Sequence, residues 1–551
     1  MKVYKQLVRT FTNSGEMEMP KSGKQKLFYA IMGIIAVCFI MVPCCLLVGY
    51  LSYGITLALG DGCADGTLFI IHFIALFSIV FGMNVILNVF YFAGDIPYIL
   101  PLPISPCKVV AAKFTTAFLS ESVMQILILI SALVGYYFAT GIRWFLLPFA
   151  LIGTLTLPVA PLAYCGIMCV LVMSFTKLIR KKSHARKLSI VIFLFLLIAA
   201  LYFVSLLRDI DMMQFTEQLK AGKSSFFYAM NIVFPTNYFF GQMLTRQSLM
   251  AFLWYVLVNA GFIGVFLLLA QKLYYRGVIG LGSEGGDKKP RTVAVNMVKA
   301  VKVNKPWVAY WKKELKVLFR TPAFFLNCIA VNGLWPVLAY AIYVMQSDSA
   351  IFQWFYVSYR IGNEMAQWVV TLLVLGVTVL LTAANSIASS SITREGKQYG
   401  FMKYIPLPYE TQFHIKAMVS ILISAVFVEI YVVILCIALK VSMPAALFYI
   451  VVSLLEVVFI SYLGLYLDTV NPKLVWDDEL NALRGNYNIF FNMAYAMLIA
   501  VIFALALAVL YFFTKMPLWI LDIIIIVLLL IANKWMIAVC LKKGIKNLEE
   551  L

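Results

Sequence analysis

The stretch at 103–113 reads Pro103-Ile-Ser-Pro-Cys-Lys-Val-Val-Ala-Ala-Lys113, and 303 residues further on the chain reads Pro406-Leu-Pro-Tyr-Glu-Thr-Gln-Phe-His-Ile-Lys416. In both stretches a lysine follows a proline by ten residues. Each stretch comes after the second long apolar segment of its half of the chain and leads into the third. Because this position is shared, the two stretches indicate an internal repeat.

The composition predicts a membrane protein. Apolar residues make up 63% of the 551 residues, charged residues make up 13%, and the mean hydropathy is +0.93. Soluble domains are far more polar. Segments of about 18 or more apolar residues can cross about 30 Å of hydrocarbon. We therefore predict an all-α polytopic fold with twelve spans, at 27–53, 67–92, 111–138, 144–175, 188–206, 250–271, 323–345, 366–390, 417–439, 444–467, 488–513 and 517–541.

The twelve predicted spans divide into two groups of six. We predict a first six-helix half at 1–271, a cytosolic linker at 272–306 and a second six-helix half at 307–551. The linker is polar and rich in glycine, which is typical of a flexible connection.

The net charge of +19 is the next feature, because a basic chain can bind nucleic acid. If both termini and every second loop are cytosolic, most of the 44 Lys and Arg residues lie on the cytosolic side. This is the positive-inside pattern of membrane proteins. The basic clusters then face anionic lipid, and we expect no nucleic acid among the partners. We predict a multi-pass plasma-membrane protein, of a bacterial kind, with both termini cytosolic.

An amphipathic segment precedes the seventh predicted span. Residues 307–321 place large apolar side chains on one side of a helix and most of the basic ones elsewhere. We predict an elbow helix that lies in the cytosolic membrane interface. An ordinary basic anchor beside the membrane is the alternative. The residues that define the elbow are Trp307, Trp311, Lys312, Lys313 and Arg320.

Together these features resemble the membrane permeases of ABC exporters of the ABC-2 type. Leu102-Pro-Ile-Ser105 with Lys113 downstream is similar to a phrase of that family. The second copy keeps Pro406 and Lys416 but has Pro408 where the first copy has Ser105.

Two further phrases of the second half are also similar to that family: Arg394-Glu-Gly-Lys397 and Asn471-Pro-Lys-Leu-Val-Trp-Asp-Asp-Glu479. At the first of these positions the first half has Tyr91-Phe-Ala-Gly94 and lacks the charges. The resemblance implies a segment in each half that contacts an ATPase. The residues that we expect to couple it are Pro103, Ser105, Pro106, Lys113, Glu395, Pro406, Pro408, Glu410 and Lys416.

The energy source then lies in another protein. The chain lacks the G-x-x-x-x-G-K-[ST] loop that cradles phosphates, and its nearest approach is Gly222-Lys-Ser224 in a predicted external segment. We therefore expect no catalytic residue and no bound cofactor. The resemblance implies a separate ABC ATPase, in two copies, that binds ATP and magnesium. The scattered His and Cys residues predict no metal site.

The long external segment at 207–249 bears on the substrate. Its apolar part can cap an exit path for an amphipathic peptide or a lipid, or it can form a purely structural lid. The sequence leaves both interpretations open.

Other functional classes also remain open. An ion-coupled secondary transporter has ionisable groups inside the bilayer. Glu121, Glu429 and Glu456 lie within predicted spans and form a possible intramembrane polar site, or they make structural hydrogen bonds. A membrane-bound transferase needs a cluster of polar catalytic residues, and three scattered histidines give it little support.

Overall fold

A computed structural model describes the chain at 2–13, 23–59, 65–92, 95–141, 144–175, 225–246, 248–282, 305–333, 350–476, 479–483, 486–514 and 516–550. Every regular element within these ranges is helical, which confirms the predicted all-α class. Eight helical stretches of the described residues are long and apolar enough to cross a membrane. One of them, Leu147–Phe175, contains a break and is given below as two helices. The protein is therefore a multi-pass membrane protein. The number of twelve spans stays a prediction, because the span at 188–206 lies outside the described residues.

The described helices are as follows in chain order. In the first part of the chain they are α1 (Lys2–Asn13), α2 (Gly23–Leu59), α3 (Asp65–Leu87), α4 (Ile96–Ile99), α5 (Pro106–Thr140), α6 (Leu147–Thr156), α7 (Val159–Phe175), α8 (Ser225–Val233), α9 (Pro235–Arg246) and α10 (Leu249–Gly282). They continue with α11 (Pro306–Arg320), α12 (Ala350–Arg360), α13 (Glu364–Ala384), α14 (Tyr409–Ala438), α15 (Met443–Val470), α16 (Glu479–Leu483), α17 (Tyr487–Thr514), α18 (Leu518–Val539) and α19 (Ile545–Glu550). Short π or 3-10 turns lie at Asn88–Phe92, Phe325–Ile329, Ala330–Gly333, Thr393–Tyr404 and Cys540–Gly544.

The chain forms two compact units. The first consists mainly of residues 38–291 together with α1, and the second mainly of residues 292–551. The repeat of six and six helices and the predicted boundaries at 271 and 306 stay predictions. Helix α10 continues beyond residue 271 to Gly282. Tyr274 and Val278 in this extension are buried in the core of the first unit. The predicted start of the linker therefore falls inside a helix.

The fourth predicted span is broken near its middle. Helix α6 ends at Thr156 and α7 begins at Val159, with Pro158 between them and Pro161 in the first turn of α7. Proline has no N–H and its ring clashes with the preceding turn of a helix. The two prolines therefore predict the break that the structure contains.

The eighth predicted span is shorter than expected. Helix α13 ends at Ala384, and residues 385–392 are not helical, although the prediction extended the span to 390. The side chain of Asn385 accepts a hydrogen bond from the backbone N of Ile387 at 2.8 Å. Asn and Ser side chains compete in this way with helical hydrogen bonds. The hydropathy of the segment therefore overestimates the helix.

Part of the segment that we predict to be external packs into the first unit. Residues 225–246 form α8 and α9, and the side chains of Phe234, Phe240 and Met243 are fully buried. The ring of His72 in α3 lies 3.1 Å from Asn231 Oδ1 and 3.2 Å from Asn237 Nδ2. These contacts attach α8 and α9 to α3. Residues 207–224, which include Gly222-Lys-Ser224, lie outside the described residues.

Helices α2 and α5 approach each other closely through small residues. A Cβ on Gly135 would overlap the carbonyl oxygen of Gly49. Beside this contact, Ser52 Oγ donates a hydrogen bond to the carbonyl of Ala132 at 2.7 Å. Small residues allow such close approach between membrane helices, where packing and hydrogen bonds replace the hydrophobic effect.

Gly135→Ala should therefore destabilise the first unit. The added methyl group overlaps backbone rather than a movable side chain, and overpacking of this kind costs about 1–3 kcal/mol. Gly264→Ala in α10 is the matched control, since a Cβ there meets nothing within 4 Å. Thermal unfolding of both variants in detergent tests this expectation. Equal melting temperatures for the two variants would contradict the close packing of α2 and α5.

Candidate functional site

A buried lysine of the second unit joins three segments of the chain. Lys416 lies in α14, and its Nζ is 2.8 Å from Glu314 Oε1 in α11 and 2.7 Å from Glu395 Oε1 in the turn after α13. The same Nζ donates to the carbonyl of Ser391 at 3.1 Å. Lys416 therefore ties the elbow helix and the turn to the start of α14.

Two further residues of α11 complete this site. Lys313 Nζ lies 3.2 Å from Glu314 Oε1 and also contacts Glu395. The Tyr310 ring faces both cations, with its centroid 5.7 Å from Lys416 Nζ and 5.2 Å from Lys313 Nζ. Two cations and two carboxylates balance in charge, which a buried ionic group requires. We call these five residues the Lys416 cluster.

The protonation of Glu395 follows from its neighbours. Burial alone would raise the pKa of this carboxyl, but the charges of Lys416 and Lys313 hold the pKa well below its ordinary value. A carboxyl whose pKa is lower in the folded state stabilises the fold above the unfolded-state pKa of about 4.3. The stabilisation is lost as the pH falls below that value. At neutral pH the Glu395 carboxyl is therefore ionised.

The first unit contains a similar arrangement around Lys113. This side chain is buried in α5, and its Nζ lies 2.9 Å from Asp95 Oδ1 and 2.9 Å from the carbonyl of Val89. The Nζ also lies 5.5 Å from the centroid of the Phe11 ring in α1. We call these residues the Lys113 cluster. It has one acid and one cation where the Lys416 cluster has two of each, and the side chain of its acid, Asp95, is 30% exposed.

The two clusters share a plan. In each, the lysine of the repeated stretch is bound by an acid from the segment before its helix, by a backbone carbonyl and by an aromatic ring of the amphipathic helix of its unit. The sequence predicted four of these residues: Lys113, Glu395 and Lys416 as coupling residues, and Lys313 as a residue of the elbow helix. The structure brings the last three together in the second unit.

Sequence reasoning missed several partners of these lysines. Asp95 directly follows Gly94, so one more residue of the compared phrase contains the acid of the first unit. Glu314 is an acid on the buried side of the elbow helix, and this unusual position was the signal that could have identified it. Phe11 and Tyr310 carried no comparable signal.

The remaining predicted coupling residues are in different surroundings. Ser105 and Pro408 precede the first residues of α5 and α14 in extended backbone, as N-caps do. Prolines at a helix start fix the entry angle of the chain. Most of these side chains are exposed, including Glu410, whereas Lys113 and Lys416 are buried and Glu395 is mostly buried. The residues outside the clusters are Pro103, Ser105, Pro106, Pro406, Pro408 and Glu410.

One face of the elbow helix packs on the protein. Helix α11 covers the predicted residues, but its buried face contains Tyr310, Glu314 and Leu318 and packs on the protein. Lys313 contacts Glu314 and Glu395 of the Lys416 cluster while its side chain stays 39% exposed. Trp311 packs beside the core of the second unit, while the exposed residues of the elbow are Trp307, Lys312 and Arg320.

A buried carboxylate holds the turn that carries Glu395. Asp468 in α15 is fully buried, and its Oδ2 accepts hydrogen bonds from the backbone N of Ile392 at 2.6 Å and of Thr393 at 3.0 Å. Its Oδ1 accepts from Thr393 Oγ1 at 2.6 Å and from Asn488 Nδ2 at 3.1 Å. Hydrogen bonds to a charged acceptor are among the stronger ones. Asp468 therefore fixes the start of the 393–404 turn.

The two family-like phrases of the second unit are in contact. Trp476 Nε1 donates to the carbonyl of Thr393 at 2.9 Å. Gly396 has a φ of +56°, and a Cβ on it would lie 2.8 Å from the Trp476 ring. Only glycine meets both demands readily. Trp476 of the second phrase therefore packs against Gly396 of the first, next to Glu395.

The three predicted intramembrane carboxyls are divided between the two units. Glu121 lies in the first unit, and Glu429 and Glu456 lie in the second. Glu429 Oε1 accepts a hydrogen bond from Ser453 Oγ at 2.7 Å. Glu456 is buried three residues after Ser453 on α15, and its Oε2 has no hydrogen-bond partner among the described protein groups.

No family model, no curated protein and no solved structure matches this chain. Within the described ranges no group of three or more His, Cys, Asp or Glu side chains can hold a metal ion. The arrangement of the two lysine clusters is therefore the basis on which a function can be argued.

Lys416→Met should destabilise the second unit strongly. The change leaves Glu314 and Glu395 buried without their main cation, and breaking a buried pair costs about 3–5 kcal/mol. Lys546→Met is the matched control, because the exposed pair of Lys546 and Glu550, 3.7 Å apart, contributes at most about 0.5 kcal/mol. Thermal or denaturant unfolding in detergent measures both changes.

A second variant separates the pair from general damage to α14. Adding Glu314→Gln to Lys416→Met removes one of the orphaned carboxylates, so the double variant should recover part of the lost stability. Strictly additive losses would show that the two side chains do not interact in the folded protein.

Proposed function

We propose that this chain is the membrane permease subunit of an ATP-driven ABC exporter of the ABC-2 type. It acts in the plasma membrane with a separate ATPase, present in two copies, that binds ATP and magnesium. Its substrate is an amphipathic peptide or a lipid. The observation that carries the proposal is the shared plan of the two lysine clusters, each next to an exposed, proline-rich segment that precedes a long membrane helix.

The exposed segments are suited to contact a partner protein. Tyr98 and Leu102 are exposed before α5, and Phe401 and Tyr404 are exposed before α14. Tyr404 is 83% exposed, which is unusual for a large aromatic side chain outside a lipid-facing surface. The charge distribution predicts that both segments lie on the cytosolic side. Exposed aromatic side chains of this kind are typical anchors of protein interfaces.

The clusters provide a physical route from these segments to the membrane helices. A push on the segment at 401–408 acts directly on the first turn of α14 and on the turn that carries Glu395. Because separating Lys416 from its buried carboxylates is costly, α11 has to follow the same movement. The Lys113 cluster links α1 to α5 in the corresponding way. A device of this kind converts movement of a bound ATPase into movement of whole helices.

The packed external helices support the export direction. Helices α8 and α9 cover part of the first unit, and α9 contributes several fully buried side chains. In the proposed exporter they cap the exit path of the substrate.

Replacing Phe401 and Tyr404 by Ser should lower the affinity of the chain for the ATPase about tenfold or more, because exposed aromatic anchors account for much of interface affinity. The fold should survive, since both side chains are exposed. Phe513→Ser is the matched control: this side chain is 84% exposed at the end of α17 that we predict to be external. The measurements are co-purification of an ATPase from native membranes and ATP hydrolysis by the purified complex.

The result can overturn the proposal directly. A chain that purifies from native membranes without any nucleotide-binding subunit, and transports its substrate alone, is not a permease of this kind. Retention of the ATPase by the double variant would place the contact elsewhere on the chain.

An ion-coupled secondary transporter is the second candidate, and one observation favours it. Glu456 is buried in a membrane helix with an oxygen that no described protein group binds. One helical turn before it on α15, Ser453 donates a hydrogen bond to Glu429 of α14. Intramembrane carboxyls of this kind often exchange protons or cations.

Glu456→Gln separates the two functions. In a secondary transporter the change should abolish flux driven by an ion gradient in liposomes that contain this chain alone, because the amide cannot take up and release a proton. In an ATP-driven exporter, flux should require the ATPase, and the amide should be tolerated as a hydrogen-bonding group. Ser453→Ala tests whether Glu429 depends on its hydrogen bond in either case.

A further inference from the structure

The first unit contains a small, partly open cavity at the break of the fourth predicted span. It lies between α3, α5, the junction of α6 and α7, and α9. The space open to the centre of a water-sized sphere is about 10 Å³. About that much space is needed for one water molecule. The lining residues that matter here are Ser78, Gln125, Leu157, Pro158, Pro161 and Asn237.

Two polar atoms at this cavity have no protein partner. The side chain of Ser78 is 1% exposed, and its Oγ has no hydrogen-bond partner among the described protein groups. The same holds for the buried Oε1 of Gln125. Buried polar atoms are almost always hydrogen-bonded, to protein or to water. Two such atoms at one cavity therefore point to a common ligand.

The proline break contributes a third polar group. In a continuous helix the carbonyl of Leu157 would accept a hydrogen bond from the residue four positions later. That residue is Pro161, which has no N–H. Leu157 lines the cavity, and its carbonyl lacks this helical donor.

We propose that the cavity is a binding site for one ordered water molecule. The water accepts a hydrogen bond from Ser78 Oγ. It donates one hydrogen bond to Gln125 Oε1 and one to the carbonyl of Leu157. Three hydrogen bonds of this kind are typical of buried waters. Asn237 closes the site from α9, where its side-chain amide is held by His72 at 3.2 Å.

The site suits water better than other small ligands. A cation would need several oxygen ligands and a compensating charge, and the lining residues carry no charge. Through the water, α3 and α5 are joined to the break of the fourth span, which otherwise lacks a helical hydrogen bond at this point.

Three variants of the full chain test the site by the sign of a change in melting temperature. With water bound, Ser78→Ala and Gln125→Met each remove one of its partners, and each should lower the melting temperature by about 2–4 °C. Ser122→Ala is the matched control: its Oγ is also buried without a described partner and it lies on α5, but it does not line the cavity. This control should leave the melting temperature unchanged or raise it.

A dry cavity gives the opposite result. Removing an unpaired buried polar group is then stabilising, so Ser78→Ala and Gln125→Met would behave like Ser122→Ala or raise the melting temperature. That outcome overturns the proposal. The double variant should lose less than the sum of the single losses, because both residues bind the same water. Full additivity contradicts a shared ligand.

A measurement on the unaltered protein covers the case in which a variant fails to fold. X-ray radiolysis in heavy-oxygen water produces hydroxyl radicals from bound water, and these label the side chains beside it. Heavy oxygen should appear in the buried peptide that contains Leu157 and Pro158. Absence of label there, with normal labelling of the same peptide in unfolded protein, overturns the proposal.

Discussion

The pairing of a buried lysine with buried carboxylates is the interaction on which the second unit depends. Lys416 reaches Glu314 and Glu395 within 2.8 Å and 2.7 Å, and neither acid lies on the helix of the lysine. Removing these charges from water is costly, so the arrangement survives only while all its members are present. The elbow helix, the turn after α13 and the start of α14 are therefore held as one body, although each alone is short or irregular.

A second layer of polar contacts explains why Glu395 is available to that pair. The segment at 385–392 is not helical, and Asp468 from α15 accepts from the backbone N–H groups of Ile392 and Thr393 at its end. Trp476 then covers the turn from the other side. An irregular backbone near the membrane requires such complete hydrogen bonding, because little water is available to replace it. The non-helical segment therefore positions the carboxylate of Glu395 near Lys416.

Local sequence patterns predicted the parts of this protein that depend on local properties. Hydropathy identified the long apolar helices, the prolines identified the break at 158, and the repeated spacing identified Lys113 and Lys416. The partners of these lysines come from segments that are distant in sequence, so no spacing rule could pair Glu314 with Lys416 or Phe11 with Lys113. The ion pairs of Lys313 with Glu314 and Glu395 were likewise not predictable, although the sequence placed this lysine on the elbow helix. The end of α13 was missed because hydropathy does not register hydrogen bonds between Asn side chains and the backbone.

The contact between Gly396 and Trp476 has a consequence for how this chain can change over evolutionary time. A side chain at 396 would need both the space of the indole and a left-handed backbone, and a smaller residue at 476 would leave the carbonyl of Thr393 without its donor. Neither position can drift alone. Related chains should therefore keep both residues or replace them together, and in an alignment the two columns should vary as a pair.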